Sequence, residues 1–213
     1  MATRSFDHSI LYCSKGIVHP NFWARKNIKD FLRQEIKNCD IVQTSRLAFH
    51  KLIPKHNPDL IVLYFHEKKI RPEDLQSLNA YVRNGGAILA IHSASASFKQ
   101  EPAYHKLIGG RFIKHGPICN YTIQPSAYAE EHFCKLDSTF SIKDELYLHD
   151  YDSTVQVLLE TQIIDRLEPV AWVKSHGPGK VAYFAPGHRG SIFKLDSVKH
   201  VIAELIKWSF VND

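Results

Sequence analysis

The chain has 213 residues, 44% of them hydrophobic, which is enough to bury the core of one α/β domain. Its net charge of +5 comes from 27 basic and 22 acidic residues; the basic ones are spread along helical segments rather than gathered on one face or tail, which argues against dedicated nucleic-acid binding. The start, MATRSFDHSILYC, lacks the apolar core of a signal peptide, and no later run approaches the roughly 20 apolar residues that span a bilayer, so neither secretion nor a membrane partner is expected. Cys13, Cys39, Cys119 and Cys134 form no CxxC pair and lie mostly beside strand-like apolar residues. They read as reduced, buried thiols and suit a cytoplasmic location.

The first half alternates short aliphatic runs with helical patterns. A strand is expected at Ser9 to Cys13, a helix from about Phe22 to Asn38, a strand at Ile41 to Gln43 and a short helix near Ser45 to Ile53. Such alternation implies βαβ units and a parallel sheet. DLIVLYF, Asp59 to Phe65, is apolar almost throughout, as a strand covered on both faces should be. Pro72 opens a helix with acids in its first turn, an apolar stripe at Leu75, Leu78 and Val82, and Gly85 as its stop. AILAI is the next strand. From Phe98 the pattern breaks into turn-rich pieces, which we read as an excursion of one short helix and added strands over one end of the sheet, shaping a pocket. VQVLLE, PVAWV and KVAYFAP resume as strands, with KSHGPGK as a hairpin loop between the last two. A closing helix places Val198, Ile202, Leu205 and Ile206 on one face. No repeat or linker interrupts the chain, so residues 1–213 are expected to form one domain.

Ligands of an open parallel sheet bind outside the carboxyl ends of its strands. His19, His66, His92 and His188 each follow a predicted strand there, and imidazole both trades protons near neutral pH and binds divalent metals. A strand-terminal histidine is more often a polar cap, and His66, before Glu67-Lys68-Lys69, reads as merely solvated. His92 differs: it lies directly after AILAI and before small Ser93, Ala94 and Ser95, in a tight turn, where a pocket residue should support little packing. The excursion adds His105, His115 and the carboxylates Asp144 and Glu145 of KDELY. A carboxylate beside such a pocket can serve as base, metal ligand or imidazole orienter, although an isolated Asp-Glu pair by itself reads as loop acids or a helix start. The glycine pairs at 85–86 and 109–110 fit no GxGxxG pattern, and Ser93 lacks the GxSxG context of a serine nucleophile.

Taken together, GGAILAIHSASASF, LIGGRFIKH, FSIKDELY, PVAWVKSHGPGKVAYFAPGH and the closing helix ending in KWSF resemble the ThuA-like family, named for trehalose utilisation, along about the last two thirds of the chain. The first strand and its SKGIVHP loop fit less specifically. The resemblance implies a flavodoxin-like α/β fold, a mostly parallel sheet with helices on both faces, related to class I glutamine amidotransferases. Those enzymes need a cysteine in the turn that holds His92, so glutaminase chemistry is not expected here. Carried over by motif, the site positions are His92, His115, Asp144, Glu145, Tyr147 and His188, with His19 a looser match. Arg189 stands where a smaller or acidic residue would be expected.

The resulting expectation is a carbohydrate-metabolism enzyme acting on a sugar or keto-sugar. His92, Glu145 and His188 are its catalytic candidates; His19, Ser93, Tyr104, His115, Asp144, Tyr147 and Arg189 are its substrate-binding candidates. Glu145 or His92 would shuttle a proton beside a carbonyl while other imidazoles, directly or through a divalent metal ion, polarise the oxygen. Tyr104 and Tyr147 could stack on a sugar ring, whereas Phe98 reads as core. The alternatives are a non-catalytic sugar-binding or regulatory domain, and a metal-dependent hydrolase with three converging ligands. The expected partner is a small-molecule carbohydrate, and a homo-oligomer is left open.

Overall fold

Two wholly apolar strands decide the architecture. In the computed structural model, which describes residues 7–16 and 22–211, β3 (Leu60–Phe65) and β4 (Ala87–Ile91) are buried at every position. A strand buried on both faces must lie inside a sheet covered on both sides. They pair in parallel with each other, and β1 (His8–Lys15) lies parallel between β3 and β2 (Cys39–Thr44). Beyond β4 comes β11 (Gly179–Phe184), also parallel. The spatial order β2-β1-β3-β4-β11 is the flavodoxin-like arrangement, with the last strand of the chain in fifth place.

From there the same nine-stranded sheet continues through β10 (Arg166–His176), β9 (Gln156–Ile163), β6 (Cys119–Pro125) and β7 (Phe140–Asp144), each antiparallel to its neighbour. Two further strands, β5 (Gly110–His115) and β8 (Tyr147–Tyr151), form a separate antiparallel ribbon. The helices are α1 (Phe22–Glu35), α2 (Phe49–His56), α3 (Pro72–Arg83), α4 (Pro102–Ile108), α5 (Ala127–His132) and α6 (Asp196–Phe210). Val198, Ile202, Leu205 and Ile206 of α6 are all buried, and they belong to the same apolar core as Ile88, Leu89 and Trp172. None of the helices among the described residues is long and apolar enough to cross a membrane.

Several boundaries differ from the sequence reading for local reasons. Helix α2 starts at Phe49 rather than Ser45, because the Thr44 hydroxyl accepts the Arg46 amide and turns the chain first. Helix α1 stops at Glu35, and Asn38 takes a positive φ of 52° beyond it. The β10–β11 hairpin is tighter than KSHGPGK: His176 already pairs with Gly179, leaving a two-residue loop whose first member, Gly177, has φ 64°, as a two-residue turn with glycine first requires. The cysteines also depart from expectation. All four are free, but only Cys13 is buried, and Cys134 is exposed.

Gly179 fixes how closely α3 approaches the sheet. A Cβ at this position would stand 1.8 Å from the Val82 carbonyl oxygen, and backbone on both sides leaves nothing flexible to move aside. Gly179→Ala is therefore expected to cost about 1–3 kcal/mol or more through overpacking. A thermal melt should register this as a fall of several degrees, since about 1 kcal/mol moves a domain of this size by roughly 2–4 °C. An unchanged melting temperature would show that α3 does not sit this close to β11.

Candidate functional site

The strand β4 ends where the chain must turn sharply, and His92 takes that turn with φ 47°, a conformation costly for a residue with a Cβ. A short 3₁₀ turn, His92–Ala94, follows. The strained backbone is held from below. The His92 carbonyl accepts bonds from the Tyr183 hydroxyl at 3.1 Å and the Ser95 hydroxyl at 3.1 Å. It is held from the side as well, because Gly187 presses so close that a Cβ there would lie 2.5 Å from the His92 Cβ. The His92 ring is fully buried, lies on Tyr147 with ring centroids 4.1 Å apart, and places Nδ1 2.8 Å from the Ala185 carbonyl oxygen. A carbonyl can only accept, so Nδ1 carries a proton and Nε2 is the atom turned toward the pocket. This corrects the expectation that a pocket histidine supports little packing.

Nε2 of His92 is 3.7 Å from one oxygen of Glu145, whose other oxygen is 3.1 Å from His188 Nδ1 and 3.7 Å from His115 Nδ1. One carboxylate, 9% exposed, thus faces three imidazoles. His188 is partly exposed and His115 is more so, which gives the cluster a closed end at His92 and an open mouth. The second carboxylate has a different task. Asp144 is fully buried and accepts the amides of Gly187 at 2.7 Å, His188 at 3.1 Å and Arg189 at 3.2 Å. Burial pushes its carboxyl pKa up, while these amide bonds pull it back. The Tyr64 hydroxyl grips the Gly187 carbonyl as well, so the turn carrying His188 is pinned on both sides. Neither acid starts a helix: Asp144 ends β7, and Glu145 lies with Leu146 in the two-residue connection to β8.

Other predicted residues are distributed unequally. Tyr147 is 5% exposed and serves as the floor beneath His92 and His115. Ser93 is buried, with no hydrogen-bond partner for its hydroxyl among the described residues. Tyr104 is a correction: it is fully buried, and its hydroxyl donates to the Ala94 carbonyl, so it props the turn and no sugar ring can reach it. Phe98 is core, as expected. His105 is tied to the Ser97 carbonyl, and His66 is exposed. Arg189 points outward, lining a groove with His188, Trp23, Asn27 and Lys194. His19 lies outside the described residues. A larger groove at the opposite, amino-terminal edge, between His8, Asp59, Tyr81 and Phe210, contains none of the candidates.

The sequence reading missed the layer beneath. His149 is buried with Nε2 3.0 Å from the Tyr183 hydroxyl, and its Nδ1 is 3.6 Å from Glu168, itself anchored by Arg166 at 2.8 Å. Because Tyr183 in turn donates to His92, this chain supports the strained turn. The available signal was spacing: Tyr147 and His149 share one face of β8 by its two-residue period, and both are buried while Leu148 is only partly so.

Burial lowers the pKa of His149, with Glu168 opposing; His105 is lowered too, again chiefly by burial. A histidine whose folded pKa lies below its unfolded value binds the proton first when unfolded, so its contribution to stability is lost as pH falls below the unfolded value of about 6.5. Unfolding free energy should therefore drop between pH 7 and 5, by up to about 1.4 kcal/mol per pH unit for each such group, and melting temperature should fall with it. His149→Gln should lower stability at pH 7 yet flatten that slope. An equal slope in the variant would assign the acid sensitivity elsewhere.

Comparison with known proteins bears on what this geometry serves. The ThuA family model, described as trehalose utilisation, matches residues 9–209. The chain belongs to the ThuA family. The match extends the resemblance from two thirds of the sequence to nearly all of it, including the first strand. Among solved structures, the chain is similar to a ThuA-like protein from Bacteroides uniformis, with 16% identity, 94% of this chain and 90% of that one covered, and a TM-score of 0.79. A ThuA-like protein from Parabacteroides merdae gives 14% identity, coverages of 94% and 88%, and a TM-score of 0.77. A β-galactosidase from Bacillus circulans sp. alkalophilus shares the fold over 96% of this chain but only 31% of its own, with 14% identity and a TM-score of 0.64. No curated protein matches the sequence. At these identities the structural likenesses speak for a common α/β fold, and the family places the ThuA chain in carbohydrate metabolism.

Proposed function

We propose that this ThuA protein is an intracellular enzyme that moves a proton at a carbon next to the carbonyl of a sugar or keto-sugar. The observation that carries the reading is the single Glu145 carboxylate set within 3.1–3.7 Å of the rings of His92, His115 and His188, at the carboxyl edge of β4 and β11 where a parallel sheet presents its ligands. In this reading Glu145 takes the proton from carbon. The C–H electron pair forms the carbon–carbon double bond of an enediol, and the carbonyl oxygen gains a proton or hydrogen bond from an imidazole. Returning the proton to the neighbouring carbon gives an isomerase, and expelling a substituent gives a lyase. A positioned base of this kind supplies about 10²- to 10⁴-fold, and charge stabilisation at the oxygen the remainder.

Substrate enters past His188 and His115, the exposed members. With Tyr104 and Phe98 buried, an aromatic surface open to a sugar ring is Trp23, 67% exposed and lining the same groove as His188. The four free cysteines are consistent with an intracellular setting. A turnover screen against keto-sugars tests the proposal. Conversion of at least one of them by the purified protein, abolished in His188→Ala, is expected; sugar binding without conversion of any of them would make the protein a binder instead.

A further inference from the structure

We propose that His92 Nε2, His188 Nδ1 and one oxygen of Glu145 hold a single divalent transition-metal cation, leaving at least one coordination position open toward the mouth of the site. The ligand atoms of these three residues lie within 4.8 Å of one another. Two separations, 3.7 Å from His92 Nε2 to one Glu145 oxygen and 3.1 Å from His188 Nδ1 to its other oxygen, place the carboxylate between the two rings, and ligands held at about 2.0–2.2 Å from one ion in tetrahedral or octahedral array sit roughly 3.0–3.5 Å apart. The first is too long for a hydrogen bond yet close to what two ligands of a common ion require.

The direction of the His92 ring strengthens this. Its Nδ1 donates to the Ala185 carbonyl at 2.8 Å, which aims Nε2 at the Glu145 carboxylate 3.7 Å away. A backbone carbonyl accepting the far ring N–H is also the support that metal-binding histidines use to fix tautomer and orientation. His188 is positioned independently, by the three amide bonds from residues 187–189 to buried Asp144. The donors are thus held by the fold, and little ordering is left for the ion to impose.

Two imidazoles and one carboxylate favour zinc, cobalt, nickel or iron over magnesium or calcium, which prefer oxygen-only shells. Three protein ligands with an open fourth position is the pattern of a catalytic rather than a structural site. The contrast with the other His/acid cluster is instructive: at His50, Glu73 and Asp74, the buried Asp74 already takes Arg71 at 2.8 Å and the His50 ring at 2.7 Å, so its charge is matched within the protein.

The inference deepens the proposed function, since a sugar oxygen in the open position would be polarised by the ion. It rests on that reading only for the identity of the occupant. Bound through one oxygen, Glu145 keeps the other, and His115 stands beside it at the mouth to pass a proton to solvent.

Chelator-stripped protein titrated with Zn²⁺ by calorimetry, and with Co²⁺ while the visible spectrum is followed, tests the site without any substrate. One equivalent of each should bind, with cobalt giving the intense visible bands of a four- or five-coordinate ion. Both Glu145→Gln and His188→Ala should weaken zinc binding at least about 100-fold and bleach the cobalt bands, with circular dichroism unchanged; His188 is partly exposed, so its loss should not unfold the chain. His50→Ala should change neither. No cobalt spectrum, zinc binding weaker than about 0.1 mM, or stoichiometric binding that survives both Glu145→Gln and His188→Ala would overturn the proposal. Keto-sugar turnover undiminished in stripped protein would also overturn it while leaving the proposed function standing. A bound metal without turnover of any keto-sugar would do the reverse.

Discussion

Asp144→Ala is expected to produce the largest loss of stability of any single change around the site, and to remove activity with it. The carboxylate is fully buried and accepts the amides of Gly187, His188 and Arg189. Alanine leaves all three donors without their acceptor in a place water cannot easily reach, and each unsatisfied buried group costs about 1–3 kcal/mol. A total loss of roughly 3 kcal/mol or more follows, equivalent to about 10 °C in melting temperature for a chain of this length. The turn it releases carries His188, so turnover should fall even at temperatures where the variant remains folded. Asp144→Asn, which keeps one acceptor oxygen, should fall between wild type and alanine in both measurements. If Asp144→Ala melted within a degree or two of wild type, the amide cradle would not be what fixes the turn.

Glu145→Gln should have the opposite profile. The change is isosteric and removes the one carboxylate that faces His92, His115 and His188, so folding should be nearly unaffected while kcat falls about 10²- to 10⁴-fold, the usual loss for a positioned proton-transfer group. A large KM effect with kcat preserved would recast Glu145 as a substrate-binding residue. The two neighbouring acids of one KDELY motif are thereby assigned separate work, one holding a turn and one facing the pocket, and the melts and rates of the two variants together decide whether that division is right.

The division was not visible in the sequence, and the reason is physical. Hydrophobic runs such as DLIVLYF and AILAI report burial directly, so the parallel core and the strand-end positions of His66, His92 and His188 could be placed from pattern alone. The partners of a polar side chain depend on which strands the chain brings together, and Asp144 meets the 187–189 turn across more than forty positions of sequence. The same holds for Tyr104, an aromatic in a polar-looking segment that turns out to prop the His92 turn from inside. His149 and Tyr183 went unnoticed because each reads as one polar-tipped residue within an ordinary strand; only the fold stacks them under His92. The strand-like apolar neighbours of the cysteines likewise point to buried thiols, whereas Cys134 lies at the surface.

The most direct measurement of the central claim is hydrogen exchange at the reacting carbon. A keto-disaccharide incubated in D₂O with the protein and followed by proton NMR should lose the signal of the proton beside its carbonyl, faster than the uncatalysed background and at a rate cut at least 100-fold or so by Glu145→Gln. Exchange at the background rate with wild-type protein, across keto-sugars it demonstrably binds, would contradict the account, as would exchange that proceeds equally well in Glu145→Gln.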